Sequence, residues 1–328
     1  VNGPINRRNP FVVDSNPFCV GHGRTDLPIF AKNFNAMIRK ILKWTGIFLA
    51  GIVLAAIATY TYMSASMKSR MNKPYAFEKE AIEIPSDSAA IARGKHLVAI
   101  KGCQDCHGNN LEGKVMNDDG AIGRLVAANL TQGKGGLPAN YDVSDWLAAL
   151  RHGIHQDGKP LLFMPSHETT LLSRQDMAAL IAYCRQIPRV DNTLPENDLG
   201  PVAVIMSYLD KMPLLSVEKI DHNKPMVARA DSAEGAAQGK YLAVSCSGCH
   251  RENFKGGEPL APGFPPVPDI TRAGHVGKWT KSQFIATLTS GKTPEGHVLK
   301  NEDMPWKMTA QYTLSELSSL YDYLQSIQ

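Results

Sequence analysis

The longest unbroken apolar stretch lies early in the chain. From Trp44 to Met67 run 24 consecutive uncharged residues, closed off by Lys43 and Lys68. As a helix rising about 1.5 Å per residue, about twenty residues span the roughly 30 Å of a hydrocarbon core. Trp44 at one end and Tyr60 and Tyr62 at the other stand where interfacial aromatics sit. Residues 44–67 are therefore expected to be a transmembrane anchor. The rival is a cleaved signal peptide, with Ser64, Ala65 and Ser66 as the cleavage site, but its apolar core would exceed the usual length of about 7–15 residues.

Further on, the hydrophobic period becomes helical. Met177, Leu180, Ile181 and Cys184 fall on one helix face, and so do Leu317, Leu320, Tyr321 and Leu324. Ser173 with Asp176, and Thr313 with Glu316, read as N-caps with an acid three residues later. Between these runs Pro195, Gly200, Pro201, Pro213 and Pro225 mark a linker, in which Val202–Leu209 is expected to pack as a short helix on a domain. No long period-two alternation is present, so the fold is expected to be mainly α, with loops carrying many of the glycines and prolines.

An internal duplication organises these elements. Ala92-Arg-Gly-Lys-His96-Leu leads into Cys103-Gln-Asp-Cys106-His107, and Ala237-Gln-Gly-Lys-Tyr241-Leu leads into Cys246-Ser-Gly-Cys249-His250. Gly113 answers Gly256, Asn129-Leu-Thr131 answers Asp269-Ile-Thr271, Gly153 answers Gly291, and Met164-Pro165 answers Met304-Pro305. The expected organisation is an N-terminal segment over 1–43, the anchor over 44–67, one unit over 86–190, a linker over 191–232 and a second unit over 233–328. The first unit carries two extra residues between Gly94 and Cys103, so the two attachment regions are not expected to be identical.

Charge sharpens this division. The chain carries a net +4, yet residues 1–74 hold ten Lys or Arg against Asp14 and Asp26, leaving a mildly acidic remainder. A basic segment around an apolar run followed by an acidic body fits a membrane-anchored module and speaks against nucleic acid as a partner. Before Met37 the pattern is irregular, with a lone Cys19 and His22.

The chemistry lies in the two CxxCH motifs. Two cysteines separated by two residues reach both vinyl groups of one haem, and the adjacent His ligates its iron. A zinc site needs four ligands, and each motif offers a Cys-Cys-His set with no second cysteine pair nearby. A thioredoxin-like motif needs a βαβ context that is missing from the pattern. Two covalently attached haem c groups are expected, on Cys103, Cys106 and His107 and on Cys246, Cys249 and His250. Met164 and Met304 follow His107 and His250 at matched places, each before a Pro and the closing helix, and are expected as the second iron ligands. Met116 and Met308 have no counterpart across the repeat, nor do His152, His155, His167, His275 and His297.

These paired motifs resemble the dihaem members of the class I cytochrome c family, over roughly residues 88–328. The resemblance implies a transmembrane helix followed by two class I cytochrome c domains in tandem. It implies a crossing of first and last helices in each domain, with Gly94 meeting Tyr183 and Gly239 meeting Tyr323. It also implies a proline carbonyl near the proximal His, for which Pro262 is suited in the second unit and nothing evident in the first.

A haem closed by His and Met has no vacant position, and Met ligation raises its potential. Electron transfer is therefore expected, and not catalysis. The resemblance implies the cytochrome subunit of a membrane dehydrogenase or oxidase complex, with a dehydrogenase, an oxidase or a soluble cytochrome as redox partner and membrane lipid around the anchor. Haem attachment on the outer face implies the cytoplasmic membrane, a single span and periplasmic haem domains. A dihaem peroxidase is the alternative, left open by His167 near Met164; a haem-based sensor lacks a signalling domain in the sequence.

Overall fold

The computed structural model describes residues 27–229, 234–260 and 264–328, with side chains from residue 34 onwards. Cys19, His22 and Pro262 lie outside the described residues, as do residues 1–26 of the N-terminal segment. The chain divides into two compact units, Val1–Thr59 and Tyr60–Gln328.

Helix α1 spans Leu27–Met71. It extends the expected anchor at both ends because residues 33–43 and 68–71 contain neither Gly nor Pro, while Pro74 beyond its end disfavours helix in the residue before it. Its portion Phe34–Met71 is long and apolar enough to cross a membrane, and Trp44, Phe48 and Leu54 are exposed on it.

The remainder is mainly helical. The first repeat comprises α2 (Ser88–Ile100), α3 (Cys103–His107), α4 (Val143–Leu147) with a π turn over Ala148–His152, α5 (Ser166–Thr169) and α6 (Arg174–Cys184). The linker contributes α7 (Pro201–Tyr208), with proline at a position where its missing N–H costs nothing. The second repeat comprises α8 (Gly235–His250), α9 (Lys281–Ser290), α10 (Trp306–Thr309) and α11 (Leu314–Ser326).

In both repeats the first helix crosses the last through a glycine. A Cβ at Gly94 would fall 2.0 Å from the Ala179 carbonyl oxygen and 2.8 Å from Tyr183 Cβ; at Gly239 it would fall 1.9 Å from the Ser319 oxygen and 2.7 Å from Tyr323 Cβ. Only a missing side chain permits such an approach. Leu97, Met177, Leu180 and Ile181 of the first repeat and Leu242, Leu317, Leu320 and Leu324 of the second are buried in one continuous core. Cys184 is buried in it as an apolar residue.

Both closing helices are capped where the sequence suggests, but differently. At Thr313 the box is complete: Thr313 accepts from the Glu316 N–H, and Glu316 accepts from the Thr313 N–H. At Ser173 only the first half forms, because the Asp176 carboxylate takes both a bidentate pair from Arg93 and the Tyr241 hydroxyl.

A small antiparallel sheet is the element that periodicity missed. Strands β1 (Lys114–Asp119) and β2 (Gly123–Ala127) form a bulged hairpin, and β3 (Asp198–Leu199) from the linker joins β2. Its first strand is almost wholly exposed, so no apolar alternation is required of it. The sheet ties the linker to the first repeat. A second, smaller core does the same, with Val204, Leu214, Leu215 and Val217 of the linker packing on Ile154 and Met67.

Candidate haem centres

Each CxxCH motif occupies a helical turn, so positions i, i+3 and i+4 put both sulfurs and the imidazole on one face. In the second repeat the turn ends the uninterrupted α8; in the first, α3 restarts after Gly102, which stands at φ +68°.

Both imidazoles are buried and clamped in the same way. The His107 Nδ1–H donates to the Ala128 carbonyl at 2.7 Å, and the His250 Nδ1–H donates to the Pro268 carbonyl at 2.9 Å. This fixes the tautomer and leaves Nε2 with a lone pair for a metal. Burial pushes both imidazoles below their ordinary pKa, with the carbonyl bond pulling the other way, so the neutral, ligating form is favoured. The carbonyl partner is thus Pro268 rather than the Pro262 expected, and the first repeat has its own equivalent in Ala128.

The paired Asn129-Leu-Thr131 and Asp269-Ile-Thr271 explain the clamp. Asn129 Oδ1 accepts from the Thr131 N–H at 2.9 Å, and Asp269 Oδ1 accepts from the Thr271 N–H at 2.8 Å. These side-chain turns set the backbone just after the two accepting carbonyls. On the other side, Gly113 and Gly256 donate their N–H groups to the carbonyls of His107 and His250.

The cysteine sulfurs are chemically quiet. Burial pushes the Cys103 and Cys246 thiols up to about 12 and raises Cys106 and Cys249 as well. Sulfur that stays neutral suits a buried thioether and not a thiolate nucleophile. With the imidazole orientation, this donor set fits a covalently attached haem.

Met164 and Met304 are half-buried and pack against the core that also receives Cys103 and Cys246. Each Met-Pro leads into a short helix, and Thr169 and Thr309 within those helices donate from Oγ1 to the carbonyls of Leu150 and Leu288. This matched pair was not singled out in the sequence, although both threonines stand five residues after the Met. Of the unpaired candidates, Met116 lies on β1. His155 and His297 are exposed, and His275 bonds Glu295. His152 is stacked on Phe77 and bonded to His222.

Among the described residues, the linker adds a contact to the Met loop of the first repeat and none to that of the second. Ser216 donates its hydroxyl hydrogen to the Met164 carbonyl, so His167 Nδ1 must be the donor in its 3.0 Å contact with Ser216 Oγ. The Leu214 carbonyl accepts from the Phe163 N–H at 2.8 Å. His167 is therefore committed to the linker.

A family model described as Cytochrome c matches residues 91–188 and 236–328. The chain is similar to the fructose dehydrogenase cytochrome subunit of Gluconobacter japonicus, 27% identical over 73% of this chain and 52% of the relative. It is similar to the alcohol dehydrogenase (quinone) cytochrome c subunit of Gluconobacter oxydans (strain 621H), 23% identical over 74% of this chain and 55% of the relative. The gluconate 2-dehydrogenase cytochrome c subunit of Pantoea cypripedii is 30% identical over 30% of this chain and 23% of the relative. The chain spans about half the length of the first two of these relatives.

Proposed function

Because the chain belongs to the cytochrome c family, for which covalently bound haem c is the rule, we propose that it is an electron carrier with two such haems, one per repeat. Cys103 and Cys106 hold the first and Cys246 and Cys249 the second. His107 and Met164 close the first iron, His250 and Met304 the second. When bound, each haem supplies a one-electron iron(III)/iron(II) couple. The residues around it would bind and orient the group: the clamped imidazoles would present Nε2, the Met-Pro loops would supply sulfur, and the shared core would exclude water.

The observation that carries this reading is the repeated clamp, in which two imidazoles 143 residues apart in the sequence each give Nδ1–H to the carbonyl preceding a matched side-chain turn. A ligand set without a vacant place favours transfer over peroxide chemistry.

We further infer that the chain works as the cytochrome subunit of a membrane dehydrogenase complex, as the names of its relatives suggest. In this reading residues 44–67 form a single span of the cytoplasmic membrane, residues 1–43 lie on the inner side, and the units over 86–190 and 233–328 face the periplasm on either side of the 191–232 linker. The test is to measure carbon monoxide binding and peroxide turnover of the reduced, full-length protein. Negligible values for both are expected; vigorous peroxidase turnover overturns the carrier reading.

A further inference from the structure

The two residues by which the first repeat's attachment region exceeds the second's are Lys101 and Gly102. In the second repeat α8 runs unbroken from Gly235 through His250. In the first, α2 stops at Ile100, and the helix restarts at Cys103. A two-residue insertion beside a functional turn needs a reason, and the neighbours supply one.

Lys101 reaches out of its own repeat. Its Nζ donates to Ser245 Oγ at 3.1 Å, directly before Cys246, and lies 5.8 Å from the centre of the Tyr241 ring. The carbonyl of Ile100, freed where α2 ends, accepts from the Tyr312 hydroxyl at 3.2 Å. Gly102, in its left-handed conformation, brings the backbone so near the second repeat that a Cβ would sit 3.1 Å from Met308 Sδ.

The reverse contact matches it. A Cβ on Gly248, between Cys246 and Cys249, would sit 2.7 Å from Glu168 Oε1. Glu168 and Met308 occupy the same place in the repeat, four residues after Met164 and Met304. Each attachment turn therefore meets the short helix that follows the other repeat's candidate iron-ligating Met. The same exchange recurs one helix away. His96 Nε2 lies 2.7 Å from Glu316, and the Tyr241 hydroxyl donates to Asp176 at 2.8 Å, each pair crossing between equivalent positions of opposite repeats. Arg93 joins the two acids, bidentate to Asp176 at 2.9 Å and to Glu316 at 3.2 Å. Such reciprocal pairing is the mark of a two-fold, self-complementary interface, here between two halves of one chain.

We propose that Lys101 and Gly102 are a docking insert that fixes the two haem-attachment turns against each other, making the repeats one rigid two-centre unit and not two carriers on a tether. The proposal rests on the reading that each turn carries a haem. Lys101, Gly102 and Arg93 are positioning residues: they set the gap between the centres, and electron exchange falls steeply as a gap widens.

The test uses the full-length holoprotein and three forms: unmodified, with Lys101 and Gly102 deleted, and with Arg93→Gln and Lys101→Met combined, which leaves the chain length unchanged and supplies Gln, the residue at the equivalent position 238. Haem content and the spectrum of each haem are recorded together with the circular dichroism couplet that two neighbouring haems produce in their main absorption band. Haem content of two is expected in all forms, with the couplet lost and inter-centre exchange slowed at least tenfold in the deletion, and the couplet weakened in the double variant. An unchanged couplet and rate in the double variant, with the deletion either likewise unchanged or unable to fold, overturns the proposal. Fewer than two haems in the unmodified protein overturns instead the reading on which it rests.

Discussion

The loop that presents Met164 is gripped from outside. Ser216 binds its carbonyl, Leu214 takes the Phe163 N–H, and His167 ties back to Ser216. The loop that presents Met304 is held from within its own repeat, where the Met304 N–H donates to the Lys300 carbonyl and Asn301 accepts from the Lys307 N–H. The two loops share a Met, a Pro, a short helix and a threonine anchor, yet only the first of these loops is braced by the linker. A duplication thus preserves the residues that chemistry demands and leaves the means of bracing them free to diverge. The first Met loop has become dependent on the linker; the second is braced by hydrogen bonds within its own repeat.

That comparison is broken most severely at the helix crossings, where the repeats should behave alike. Gly94→Val and Gly239→Val each force a side chain into a carbonyl oxygen, and each is expected to cost about 4 kcal/mol or more, measured by denaturant unfolding of the holoprotein. Tolerance at one site alone would mean that the two crossings are not equivalent.

Met164→Ala and Met304→Ala come next. Each is expected to open one iron, lower that centre's potential and allow one equivalent of carbon monoxide to bind, while Met308→Ala leaves both centres closed. If Met308→Ala opens a centre and Met304→Ala does not, the matching of ligands across the repeat is wrong in the second unit.

Ser216→Ala sharpens the contrast. It removes two hydrogen bonds from the first loop only, to the Met164 carbonyl and from His167, with an expected loss of about 2 kcal/mol in the unfolding free energy and a greater ease of Met164 displacement by added imidazole. The second centre, titrated in the same sample, should be unchanged.

The smallest effect concerns acid. Burial works to raise the Glu316 carboxyl, but hydrogen bonds from His96 and the Thr313 backbone and the charge of Arg93 outweigh it, holding it at about 2 against the ordinary 4.5. With the folded value depressed, its contribution is complete above pH 4.5 and lost as pH falls towards 2. Glu316→Gln should therefore flatten the fall in thermal midpoint across that window and leave the midpoint's pH dependence above it unaltered.

What was legible in the sequence was whatever only one residue type can do. The covalent attachment proposed above would need Cys103, Cys106, Cys246 and Cys249; a helix crossing at backbone contact needs Gly94 and Gly239, and a helix start favours Ser173 and Thr313. The imidazole clamp, expected at Pro262 in the second unit and nowhere evident in the first, was misplaced because a backbone carbonyl leaves no letter. Ala128 and Pro268 share nothing but position, and the signal lay in the matched turns Asn129-Leu-Thr131 and Asp269-Ile-Thr271, whose role geometry alone explains. The hairpin over β1 and β2 escaped because an exposed strand carries no hydrophobic period. The half-formed cap at Ser173 was equally illegible, since the group that draws Asp176 away is Arg93, 83 residues earlier.

The account rests on two covalently held haems, one at each clamped imidazole. The most direct measurement is the intact mass of the denatured, full-length chain together with that of Cys103→Ala/Cys106→Ala and Cys246→Ala/Cys249→Ala. The unmodified chain is expected to weigh two haems more than its polypeptide, and each double variant one haem more. A single added haem in the unmodified chain, or none, contradicts the account.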